Sequence, residues 1–72
     1  MVRQDEVLQV IRENPGISSH DLAGVLSTWD EYRKMNLHQV KTSTVEKAYK
    51  LRKKGLVDRE IIKRQAHWRV VE

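Results

Sequence analysis

The chain has 72 residues, 39% of them hydrophobic and 33% charged, with a net charge of +4 and no cysteine. That length sets a single domain, 1–72, with a core near the lower limit of self-support. The composition suits a small globular domain better than a disordered tail, and no apolar run reaches the length of a membrane span. The missing thiols exclude disulfide scaffolds and thiolate metal sites and fit a reducing compartment.

The opening MVRQDEVLQV has no uninterrupted apolar stretch of the secretion-signal kind, so a cytoplasmic protein is expected. Val7, Leu8 and Ile11 recur at helical spacing and predict a first helix over 3–13. It ends near Asn14, because a residue before proline avoids the helical region and Pro15 follows. Gly16 then supplies the turn, and Ile17 is placed for a very short strand.

Three capping boxes come next, each a Ser or Thr with an acid three residues on: Ser18 with Asp21, Thr28 with Glu31, and Ser43 with Glu46. They predict a second helix over 19–26, with Leu22, Val25 and Leu26 inward. They also predict a short inserted helix over 29–36, built on Trp29, Tyr32 and Met35, and a third long one over 44–54. Gly55 is a natural stop for the last. Beyond it, LVDREIIK and HWRVVE are rich in β-branched and aromatic residues and predict a hairpin closed by Arg64–Gln65–Ala66. Trp68 and Val70 fall on its inner face.

Charge divides along the chain. Residues 1–40 hold four Lys/Arg against six Asp/Glu, net −2; residues 41–72 hold ten against four, net +6. A basic half on so small a domain suits a polyanion. On a helical wheel for 44–54, Val45, Ala48 and Leu51 form an apolar arc that also takes in Arg52, with Tyr49 at its edge. Lys47, Lys50 and Lys54 form a stripe opposite. The N-terminal end adds Lys41, Thr42, Ser43 and Thr44: one cation, three hydroxyls and unpaired amides that favour phosphate. The helix so drawn has no Asn or Gln to read adenine, though Arg33, Lys34, Asn36, His38 and Gln39 of the inserted segment stand nearby.

Enzyme chemistry finds no inventory. His20, His38 and His67 are too far apart in sequence to share a metal by helical spacing. Ser19, His20 and Asp21 are adjacent at a helix start and point apart, which a triad cannot use. The three glycines are scattered, so there is no phosphate loop. No catalytic residue, metal or cofactor is expected.

Over about residues 7–71 the chain resembles the winged helix-turn-helix family of DNA-binding domains, as small stand-alone transcriptional regulators have. The resemblance is carried by PGISSHDLAGVL for the second helix and its entry, STVEKAYKLRKKGLV for the recognition helix, and DREIIKRQAHWRVV for the wing. It implies an α+β fold of three core helices with a two- or three-stranded antiparallel wing, here with an inserted short helix. It also implies binding of double-stranded DNA in transcriptional control, association with the nucleoid when bound, and no small-molecule substrate. The third helix would enter the major groove and the wing, 57–71, would lie on the flanking backbone. The expected contacts are Lys41, Thr42, Ser43, Thr44, Lys47, Lys50 and Lys54, with Lys63 and Arg64 from the wing tip. A reader this small contacts few base pairs, so two copies on one site, or a partner regulatory protein, is expected.

Residues 27–42 depart from the family, which joins the two helices by a short turn. A rival register makes TWDEYRKMN the recognition helix; it would aim Asp30 and Glu31 at phosphate. Z-form nucleic-acid-binding domains, a winged-helix subclass, carry an Asn and a Tyr on that helix and a Pro-Pro-x-Trp wing. Tyr49 and Trp68 are similarly placed, but Val45 occupies the Asn position and no prolines precede Trp68, so that activity is not expected. The alternative function is a protein-interaction module presenting Trp29, Tyr32, Met35 and Leu37 of the inserted segment.

Overall fold

The computed structural model describes residues 2–71. Helix α1, Gln4–Glu13, turns Val7, Val10 and Ile11 inward. The Glu6 carboxylate holds its start by accepting from the Arg3 amide at 3.1 Å. Asn14 ends it, donating from its side chain to the Val10 carbonyl at 2.9 Å. Gly16 takes a φ of 83°, which a side chain would strain, and delivers the chain into β1, Ile17–Ser18. Helix α2, Ser19–Ser27, starts where the first Ser box places it: Ser18 Oγ accepts from the Asp21 amide at 3.1 Å.

The second box does not form, and there is no inserted helix. Thr28 closes α2 instead of opening a new helix, and its hydroxyl turns back to the Val25 carbonyl at 2.7 Å. Residues 28–35 run as successive turns, tied by bonds from Trp29 to Leu26, Tyr32 to Trp29 and Met35 to Tyr32. A segment this short cannot repay helix nucleation by itself. Its anchor is Tyr32, 3% exposed, whose hydroxyl donates to the Glu6 carboxylate. Burial, reinforced by that acceptor, pushes the Tyr32 phenol up to about 12, so it stays a donor at any ordinary pH.

Helix α3, Leu37–Lys53, begins well before Ser43. Asn36 is the cap: its side-chain oxygen accepts from the His38 amide at 2.8 Å. Ser43 and Glu46 therefore lie inside the helix, and their box does not exist. The 17 residues make a rod about 25 Å long. Its exit is a Schellman motif, with Gly55 at φ 79°, its amide on the Arg52 carbonyl and the Leu56 amide on the Leu51 carbonyl.

Strands β2, Val57–Ile62, and β3, Gln65–Val70, form an antiparallel hairpin, and β1 pairs with the other edge of β3, giving the order β1-β3-β2. Among the described residues the fold is thus α+β, three helices and a three-stranded antiparallel sheet, an order compatible with a winged helix. The register sets Ile62 opposite Gln65, so the loop is Lys63–Arg64 alone and not Arg64–Ala66. Both loop residues have positive φ, 51° and 69°. Two-residue hairpins favour this mirror-image turn because its twist matches the strands, at a conformational cost for residues bearing a Cβ. The double variant K63N/R64G is therefore expected to stabilise the domain by about 1 kcal/mol in urea denaturation.

The core lies where the helices meet the sheet. Val10 and Ile11 of α1, Leu22 and Leu26 of α2, Val40, Ala48 and Leu51 of α3, Val57 and Trp68 are all buried. Trp68 has no exposed surface; its indole nitrogen donates to Ser19 Oγ at 2.9 Å and fastens the hairpin to the start of α2.

Candidate functional site

Three elements meet at one cleft of about 300 Å³, lined by Ser19 and His20 from α2, Lys41 from α3, and Arg64, Gln65 and Ala66 from the hairpin. The Trp68–Ser19 bond and the Ile17–Trp68 pairing hold the hairpin against α2 there. Among the described residues no carboxylate lines this cleft, and Lys41 and Arg64 are in no ion pair. Lys63 sits beside Arg64 in the turn, exposed.

Next to the cleft runs the outward face of α3. His38, Lys41, Thr42, Val45, Glu46 and Tyr49 line a shallow groove along it. Tyr49 is 44% exposed and rigidly backed. Its ring meets Trp68 edge-on, centroids 5.5 Å apart, and the Arg59 guanidinium lies 5.0 Å from its centroid and donates to its hydroxyl. Arg59 shares the hairpin face of Trp68, and Ile61, two residues toward the tip, is 58% exposed on that face.

The rotation of α3 differs from the wheel drawn for 44–54. Its buried side is Val40, Ser43, Thr44, Ala48 and Leu51, while Val45 is only half-buried and Arg52 is exposed. Small side chains explain the choice: Ser43, Thr44 and Ala48 admit α2 closely, whereas Tyr49 and Arg52 would not. Ser43 and Thr44 are accordingly buried and not available as surface contacts. Lys47 is half-buried at the edge of the packed side. Lys50 is exposed but nine positions from Lys41, about half a turn out of phase, so it faces away from the cleft. Lys54 stands past the far end of the helix and donates to the Gln4 side chain at 2.8 Å. None of the three lysines of the expected stripe lines the cleft or the groove. Of the nine expected contacts, Lys41, Thr42, Lys63 and Arg64 remain on accessible surface near the cleft and groove.

The hydroxyls of Ser43 and Thr44 are buried without a hydrogen-bond partner. Thr44 is 0% exposed, so Thr44→Val keeps its shape and removes the unpaired group. The variant is expected to gain about 1 kcal/mol in thermal denaturation, and not to lose it as a surface contact would.

Compared with protein-family models, with curated proteins and with solved structures, the chain matches none of them.

His20, Tyr49, Arg59 and Glu46 were not expected at the site. Tyr49 and Trp68 were visible as a spaced pair; His20 gave no signal beyond its place after a cap. His38 and Gln39, expected from an inserted helix, instead occupy the first turn of α3 and are exposed. Among the described residues no three His, Cys, Asp or Glu side chains are placed to hold a metal ion, and no helix is long and apolar enough to cross a membrane. The aromatic surface ascribed to the inserted segment is largely withdrawn. Tyr32 is buried, Trp29 and Met35 are half-buried in the core, and only Leu37, 49% exposed, offers itself.

Proposed function

We propose that this chain is a winged-helix module that binds double-stranded DNA in transcriptional control. In this reading α3 is the recognition helix, its first turns in the major groove, and the β2–β3 hairpin is the wing on the flanking backbone. The observation that carries it is the cleft in which Lys41 and Arg64, from helix and hairpin, converge with His20 at the start of α2 and no acid intervenes. Cations from two elements, with an imidazole from a third, suit phosphate at one place. His38 and Gln39 on the adjoining helix face are side chains of the kind that reach base edges.

The reading is tested by measuring duplex affinity against salt. With about four phosphates neutralised, log K plotted against log salt falls with a slope near −4. A slope near zero, or no retention of duplex at low salt, rejects it.

A further inference from the structure

The groove beside the cationic cleft is chemically unlike the cleft. Its middle is Val45, half-buried, and Tyr49, largely hydrocarbon, with the Glu46 carboxylate between them in sequence and exposed. Among the described residues the ion pairs are Arg33 with Asp30 and Arg69 with Glu60; Glu46 is in neither, although Lys41 borders the same groove and Lys50 follows one turn on. Nor does Glu46 serve as a cap, since Asn36 caps α3. Phosphates repel a carboxylate on a face turned toward DNA, so its favourable place there is against a donor on a base edge. The Thr42 hydroxyl donates to the His38 carbonyl at 2.9 Å, so within the groove Val45 and Glu46 stand with His38 as the side chains open to base edges.

In the major groove an apolar side chain has one distinctive target, the C5-methyl of thymine, and a carboxylate is best matched to the N4 amine of cytosine, because the adenine N6 amine has the N7 acceptor beside it on the same base to repel the second oxygen. Both targets belong to pyrimidines. We infer that Val45 and Glu46 are specificity-determining residues, and that α3 selects a strand bearing thymine and cytosine at neighbouring positions. The inference rests on the duplex-binding reading and names the sequence class that reading leaves open. The division of labour is spatial: Lys41 and Arg64 in the cleft grip the backbone, and the adjoining groove reads pyrimidine edges.

The test is selection from duplexes with a randomised core of about 20 base pairs, repeated with Glu46→Gln and Val45→Ala. Glu46 is exposed, so its variant keeps the fold. The wild-type chain is expected to enrich a thymine and a cytosine near one another on one strand. Glu46→Gln is expected to replace that cytosine by adenine, the base a glutamine pairs with. Deoxyuridine in place of the selected thymine is expected to weaken wild-type binding about fourfold, the effect of one buried methyl, and to leave Val45→Ala unchanged. Identical selected sequences for wild type and Glu46→Gln, or indifference of the wild type to uridine, overturn the inference. Binding of the pool without enrichment also overturns it and leaves duplex binding standing. No binding of the pool removes both.

Discussion

Trp68→Ala is expected to leave the chain unfolded at room temperature. The side chain has no exposed surface, and it joins β3 to α2 through Ser19 and to α3 through Tyr49. Truncating a buried tryptophan costs about 3–5 kcal/mol. A single core of this size supplies about the same amount in total. Far-ultraviolet circular dichroism of the variant would therefore show a coil, and urea titration no cooperative transition. Trp68→Phe keeps most of the volume but leaves Ser19 without its donor, and it is expected to remain folded with a lower midpoint. A folded Trp68→Ala variant would mean that the hairpin is not part of the cooperative unit.

Reversing two charges, Lys41→Glu with Arg64→Glu, is expected to reduce duplex affinity on the order of a hundredfold at 0.15 M salt and to halve the salt slope to about −2. Both residues line the same cleft, so each reversal removes one phosphate contact and puts an acid where another cation has to work. Lys50→Glu with Lys54→Glu makes the same change in net charge. Those side chains lie half a turn away and beyond the far end of α3, so the pair is expected to lose only about threefold through the screened general field. Equal losses in the two doubles would mean that affinity follows total charge and not the cleft.

Order and type of the main elements were legible because local chemistry fixes them. Proline after Asn14, the Ser18 cap, glycine at the end of α3 and the β-branched hairpin each act over a few residues. The start of α3 was not legible, because two sequences compete to cap it. Ser43 with Glu46 fits the box pattern, yet Asn36 with a two-residue reach is the cap that forms. Once the helix starts there, Val40 joins the core and turns the apolar arc, carrying Ser43 and Thr44 inside and Lys50 away from the cleft. The same error hid Gln39 and His38 from the helix face. The inserted helix failed for a different reason: Thr28 has the residue type of an N-cap, but its hydroxyl found the carbonyl behind it first. The cleft joins residues more than forty positions apart, His20 and Arg64, and no local pattern encodes that meeting.

The edge contact between Tyr49 and Trp68 gives the molecule an optical gauge of its own. Light absorbed by the phenol passes to the indole at this separation, and Trp68, shielded from solvent, emits to the blue. Trp29, in the turns after α2, is the second emitter, and Trp29→Phe silences it. Whatever settles on the outer side of Tyr49 then changes the colour or yield of a single chromophore, without any dye attached.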